Sequence, residues 1–190
     1  MKLIKNLSYL IAISMLMNSC VFYSVKGTIP VHIKNIYIKP ISNKSIDPEI
    51  VDLLDNQLNQ LLINENVLEI SDYSNADSKI TITVLEVMDL PYTLSKGEQF
   101  EKVDEWKLSV KVNAIWEDFK KGETLFDVNI NEWGIYGNSL DISNDGIDND
   151  ADGLIDAEDS NELGAPIDSA RLIAANKIVE RILSKITSTW

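Results

Sequence analysis

In the stretch Trp106-Lys107-Leu108-Ser109-Val110-Lys111-Val112-Asn113-Ala114-Ile115-Trp116, every second residue starting from Trp106 is apolar, and Lys107, Ser109, Lys111 and Asn113 fall between them. Successive side chains of an extended chain point to opposite faces, so this spacing describes a strand with one covered and one wet face. The pattern recurs on both sides. Ile80, Ile82 and Val84 alternate with Lys79, Thr81 and Thr83, and Phe126, Val128 and Ile130 alternate with Asp127, Asn129 and Asn131. Half-covered strands of this kind typically pair antiparallel. Asp118 to Glu123, containing Lys120-Lys121-Gly122, is short enough for a hairpin turn. Asp89 to Asp104 reads as a longer polar link.

Working outward, Asp47-Pro48-Glu49 is a helix start, with a cap residue, proline at the first position and an acid in the first turn. Ile50, Leu54, Leu58, Leu61 and Leu62 then form one apolar stripe, which should end near Asn64 to Asn66. His32 to Ile41 reads as a strand ended by Pro40, and Leu68 to Ile70 as a short one. A last helix starts near Pro166 to Ser169, with Leu172, Ala175, Val179, Ile182, Leu183 and Ile186 on its apolar face. The fold expected is α+β: a two-layer sandwich with two amphipathic helices on one face of a mainly antiparallel or mixed sheet of four to five strands. Trp106 and Trp116 share a face and read as core under a helix.

The N-terminus carries a different message. Lys2 and Lys5 precede an apolar run from Leu7 to Met17, and Ser19-Cys20 follows. That order is the layout of a secretory signal, and these eleven residues, interrupted by Ser8 and Ser14, rise only about 16 Å as a helix, short of a ~30 Å hydrocarbon core. The small residue before Cys20 resembles the end of a lipobox, which implies cleavage before Cys20 and covalent lipid on it. Cys20 is the only cysteine, so no internal disulfide can form, and acylation consumes a thiol that an oxidising compartment would otherwise attack. The chain then divides into a signal peptide at 1–19, the lipidated cysteine and a tether at 20–30, and a single domain at 31–190.

Charge is uneven. The 190 residues hold 17 Lys and Arg against 30 Asp and Glu, a formal −13, and loss of the two signal lysines leaves the mature chain at −15. This balance argues against nucleic acid as a partner. Residues 138–164 hold nine acids and no lysine or arginine, and form an acidic insert within the domain. Inside it, Asp148-Asn149-Asp150-Ala151-Asp152-Gly153-Leu154-Ile155-Asp156-Ala157-Glu158-Asp159 has the spacing of a calcium loop. Hard Ca²⁺ takes six to eight oxygens, and Asp148, Asp150, Asp152, the Leu154 carbonyl, Asp156 and Asp159 fall at the ligand positions, with Gly153 at the sharp turn. The flanks lack paired helices, so the loop resembles thrombospondin type 3 and dockerin repeats more than an EF-hand. A solvated acidic linker is the other reading.

Cys20-Val21-Phe22-Tyr23-Ser24, Gly27 and Pro30-Val31-His32-Ile33-Lys34-Asn35-Ile36-Tyr37-Ile38-Lys39-Pro40 resemble the opening of the LptE family, the lipopolysaccharide-assembly lipoproteins of the outer membrane. Leu90-Pro91-Tyr92, Ile115-Trp116-Glu117-Asp118, Glu132-Trp133-Gly134 and the terminal helix continue the resemblance, which spans most of 20–137 and 165–190. It implies two helices on a mixed sheet, lipid anchoring on the periplasmic face of the outer membrane, an LptD-like β-barrel as partner, and a part in delivering lipopolysaccharide to the outer leaflet. The 138–164 insert is not part of that family pattern, and no lipid-contacting residue is carried over. Pro40-Ile41-Ser42-Asn43 also resembles the turn before a helix in CsgG/LpoB-like envelope lipoproteins, so such a role, or that of a freestanding cation-binding lipoprotein, is the alternative. Catalysis is not expected. His32 is the single histidine and reads as structural, and no zinc set or Ser/His/Asp or Cys/His constellation is present.

Overall fold

The computed structural model describes residues 29–96, 101–137 and 166–188. In chain order these form β1 (Asn35–Ile38), β2 (Ser42–Asn43), α1 (Glu49–Glu65), β3 (Glu69–Ile70), β4 (Ser78–Lys96), β5 (Glu101–Asp118), β6 (Glu123–Gly137) and α2 (Pro166–Ser188). The strands make one open sheet in the order β3-β1-β4-β5-β6, with β2 also paired to β4. β1 runs parallel to β3 and β4, β2 runs parallel to β4, and β4-β5 and β5-β6 are antiparallel. The fold is therefore α+β with a mixed, unclosed sheet. The sixth strand arises because the stretch 32–41 does not continue as one strand. Pro40 has no N–H for a ladder, and the chain leaves β1 at Ile38 and rejoins the sheet at Ser42.

One apolar cluster joins both helices to the covered face of the sheet. Ile50, Leu54, Leu58 and Leu62 of α1 meet Ala174, Ala175, Ile178, Val179, Ile182 and Ile186 of α2 over Ile36, Ile80, Ile82, Val84, Val110, Val112, Ala114 and Trp116. Leu61 and Leu183, on the same stripes, are partly buried at its margin. Trp116 is fully buried and stacks at a tilt on Phe126, with ring centres 5.8 Å apart, whereas Trp106 is only half-buried. At the start of α1, Asp47 accepts the N–H of Glu49 at 3.0 Å. At its end Asn66 takes the left-handed conformation, φ 47°, which asparagine tolerates and which turns the chain into β3. Gly134 lets α2 approach β6: a Cβ there would lie 2.2 Å from the Ala170 carbonyl oxygen.

The expected polar link from Asp89 to Asp104 is instead mostly strand. β4 and β5 run on as a long antiparallel arm, paired from Ser78 with Asp118 to Lys96 with Glu101. A bulge between Val84 and Glu86 shifts the alternation by one residue, so Val87 turns to the covered side and Met88 and Leu90 to the open one. Twelve residues separate Ser78 from Leu90, about 40 Å of strand. Among the described residues, no helix is long and apolar enough to cross a membrane.

Candidate functional site

Cys20 and the six calcium-loop residues Asp148, Asp150, Asp152, Leu154, Asp156 and Asp159 lie outside the described residues. Among those described, no group of three or more histidine, cysteine or acidic side chains is placed to hold a metal ion. The described residues build three other features, at opposite ends of the sheet.

The first is at the end where the chain enters the fold. His32 Nε2 is 2.5 Å from Asp118 Oδ2. Asp118 closes β5, and its Oδ1 accepts the N–H groups of Lys120 at 2.8 Å and Lys121 at 3.2 Å in the hairpin turn. Burial opposes ionisation of this carboxyl, but the His32 contact and the two turn N–H groups outweigh it and hold the acid below its ordinary range. Lys120 reaches back to the His32 carbonyl at 3.3 Å and to Asp77 at 3.0 Å. Asp77 accepts the backbone N–H groups of Lys34 and Asn35, and the Lys34 bond with the Lys120 contact lowers its pKa. Of the basic pair at the hairpin tip, the Lys120 side chain thus becomes part of a clasp on residues 32–35, while the Lys121 ammonium pairs with Glu123 at 3.2 Å. An open cleft of about 490 Å³ lies beside it, lined by Ile29, Pro30, Val31 and Val67 with Lys34 and Glu69.

A second feature joins the two helix starts. Arg171 Nε is 2.7 Å from Asp47 Oδ2, and its Nη1 is 2.8 Å from Glu49 and also contacts Asp168. Burial works against this guanidinium's charge, yet the three acids, Asp47 foremost, raise its pKa. Nearby, Tyr136 donates to Asp89 at 2.5 Å, and burial and that carboxylate raise the phenol's pKa.

The third feature is an apolar and aromatic patch on the open face of the arm. Register aligns Leu90, Lys107 and Ile135 in one row and Met88, Ser109 and Trp133 in the next. Met88 is 40 %, Leu90 50 %, Tyr92 52 % and Trp133 38 % exposed. The Lys107 ammonium sits 4.0 Å from the centre of the Trp133 ring and 5.9 Å from that of Tyr92, a cation over two aromatic faces. The rows nearer the chain's entry are mainly polar: Thr83, Asn113 and Asn129 form one, and Thr81 and Asp127 flank Ile115 in the next. Scattered surface apolar residues need no explanation, whereas contiguous apolar patches with polar rims are where interaction sites are commonly found. Sequence reading missed this surface. The apolar alternation of Leu90, Tyr92 and Leu94 was the available signal, interrupted by Pro91 and the bulges.

No family model and no curated protein matches the chain. Among solved structures, it is similar to a Xanthomonas campestris protein of the DUF330 family model, with a TM-score of 0.50 and 9% identity over 84% of this chain and 89% of that one. It is also similar to a hypothetical protein from Chlamydia trachomatis, TM-score 0.49 at 9% identity over 81% of this chain and 98% of that one. A third is uncharacterized lipoprotein B from Nitrosomonas europaea, TM-score 0.49 at 16% identity over 84% of each. The Xanthomonas likeness bears on the fold alone.

Proposed function

We propose that this chain is an exported lipoprotein of the bacterial envelope, anchored through Cys20, that works by docking on another envelope protein and not by catalysis. The observation that carries this is the order of basic Lys2 and Lys5, apolar Leu7 to Met17 and Ser19-Cys20 at the N-terminus. Two or more acyl chains on one cysteine hold a protein stably at a membrane. The described fold begins at Ile29, so the tether joins it at the His32–Asp118 end. The exposed patch then lies about 40 Å farther along the sheet. Such a surface suits a protein partner standing off the membrane more than the anchoring lipid. Cys20→Ala should abolish incorporation of a clickable palmitate analogue, and unchanged labelling would remove the lipoprotein reading.

The finer reading is an LptE-type role at the periplasmic face of the outer membrane, with an LptD-like β-barrel as partner in lipopolysaccharide assembly. It rests on the resemblance around Cys20 to Pro40. The CsgG/LpoB-like alternative draws on the turn at Asn43, whose side chain accepts from Ser45 N at 2.8 Å and donates to the Asp47 carbonyl at 2.7 Å before α1. A tagged chain pulled from solubilised outer membrane separates them. Near-equimolar recovery of a large barrel supports the first, and recovery of periplasmic synthases the second. The acidic insert adds Ca²⁺ binding through Asp148, Asp150, Asp152, the Leu154 carbonyl, Asp156 and Asp159, with an affinity on the order of 10⁻⁴–10⁻³ M, as in extracellular modules. Titration calorimetry against Asp150→Ala with Asp152→Ala tests it. Absence of a wild-type heat at millimolar Ca²⁺ would leave an acidic linker.

A further inference from the structure

β6 is the last strand of the sheet, and among the described residues no strand lies beyond it. Residues in an antiparallel ladder alternate between bonding one neighbour and facing the other way. The Trp133 carbonyl accepts from Lys177 Nζ of α2 at 3.0 Å, so Trp133 faces away from β5. Pairing with β5 is regular from Phe126 to Gly137, so Asp127, Asn129 and Asn131 face outward as well. The Val128 carbonyl, lying 3.4 Å from Asn113 Nδ2 of β5, fits the opposite phase.

This open edge is bounded at both ends. Leu125 sits in the bulge that interrupts pairing between Trp116 and Glu117, and Lys177 caps Trp133. The midpoint of that window is Asn129. Edge strands are normally blunted by proline, lysine or overhanging side chains. β6 contains no proline, lysine or arginine. Its outward polar side chains are tied back over the sheet: Asn129 and Asp127 accept from Asn113 at 3.2 and 2.7 Å, and Asn131 from Ser109 at 2.9 Å.

We infer that this edge pairs antiparallel with β6 of a second copy of the chain, about a two-fold axis at Asn129. The strand is complementary to itself in that register. Asn129 faces Asn129, Asp127 faces the partner's Asn131, Val128 faces Ile130, Glu132 faces Phe126, and no acid meets an acid. Moving the axis to Asp127 would set two carboxylates opposite each other, which is unfavourable. Three outward pairs exchange about six backbone hydrogen bonds and join the two sheets into one. A closed barrel has no free edge to offer, whereas a second copy carries the matching one by symmetry. The pairing does not depend on the lipoprotein reading.

Crosslinking tests the register. In the full chain carrying Cys20→Ala, Asn129→Cys supplies the single thiol. Opposed residues of a hydrogen-bonded pair lie about 5.5 Å apart at Cα, within the roughly 4.4–6.8 Å that a disulfide spans. Oxidation should give a disulfide-linked dimer, and Asn113→Cys, one strand inward, should not. Asn129→Pro removes an N–H that the single fold does not use, which an edge tolerates. It should keep its circular dichroism, melt cooperatively with a midpoint that no longer depends on protein concentration, and lose the dimer seen for the parent by sedimentation. A parent that is monomeric, crosslinking of Asn129→Cys no better than of Asn113→Cys, or a dimer that persists in folded Asn129→Pro would overturn the inference.

Discussion

His32 and Asp118 stand 86 residues apart in sequence and 2.5 Å apart in space, and their contact fastens the chain's entry into the fold to the β5-β6 turn. The Asp118 side chain is 0 % exposed and that of His32 28 %. Removing the acid also strands the Lys120 and Lys121 N–H groups, so Asp118→Ala should cost about 3 kcal/mol, in the range for breaking a buried pair. The more exposed His32→Ala should cost about 1 kcal/mol. Urea unfolding of both variants measures this, and equal small losses would argue against a clasp.

The same carboxyl predicts acid behaviour. Its folded pKa lies below the ordinary 3.8, as does that of Asp77. A depressed carboxylate contributes stability that is fully present above the unfolded value and is lost as pH falls through the folded one. Wild type should therefore lose stability below about pH 4, at the ordinary carboxylate value. Asp118→Asn should start less stable and show a shallower decline over the same interval. Chemical denaturation at stepped pH reads both slopes.

Gly134→Ala should destabilise by about 1–3 kcal/mol, the usual cost of overpacking, because the new methyl meets the Ala170 backbone and not a side chain that can swing away. Gly122→Ala is the control. Nothing lies within 4 Å of its added Cβ, but φ is +65°, so only the backbone preference of roughly 1 kcal/mol is lost. Thermal melts should rank Gly134→Ala below Gly122→Ala. The reverse order would mean that α2 can shift off β6 at little cost.

The arm patch should separate binding from folding. Leu90→Ser with Tyr92→Ser alters exposed positions beyond the core and should change stability by no more than about 0.5 kcal/mol per site. Interfaces concentrate their energy in a few aromatic and basic anchors. In a pull-down from solubilised membrane, this double variant and Trp133→Ala should lose the co-purifying protein while Thr81→Ser with Thr83→Ser, on the polar half of the same face, keeps it. Equal recovery by all of them would place the docking surface elsewhere.

Part of this architecture is readable along the chain and part is not. The alternation through Val110, Val112, Ala114 and Trp116, and the stripe Ile50, Leu54, Leu58, Leu62, disclose their elements because local period and burial coincide. That coincidence fails past Val84. The bulge reverses which residues face inward, and beyond the Asp89–Leu108 pair neither strand has a buried residue, so strand pairing continues without an apolar rhythm to show it. Pro40 shows where β1 must stop but not that the chain rejoins the sheet as β2. Lys107, Tyr92 and Trp133 lie on three strands and meet only through register, just as His32 meets Asp118. No local pattern encodes such contacts.

Arg171 is a cation at the meeting of two helix starts, a place where the dipoles themselves disfavour positive charge. Its position is maintained by Asp47 and Glu49 at the head of α1 and Asp168 at the head of α2, so it ties the helices together where the apolar stripes have not yet begun. Arg171→Met would keep most of the packing of its stem but leave Asp47, whose side chain is 10 % exposed, beside other acids without a counterion. The expected loss is about 2–3 kcal/mol, lower than for a fully buried pair because Glu49 and Asp168 are half exposed or more. Arg171→Lys should recover only part of it, since an ammonium cannot offer Nε and Nη1 to separate carboxylates in one plane. Adding Asp47→Asn to Arg171→Met should restore stability relative to Arg171→Met alone, because it removes the stranded charge. A double-mutant cycle by chemical denaturation gives the coupling directly. Additive losses would show that Arg171 contributes through its stem and not through the acid it holds.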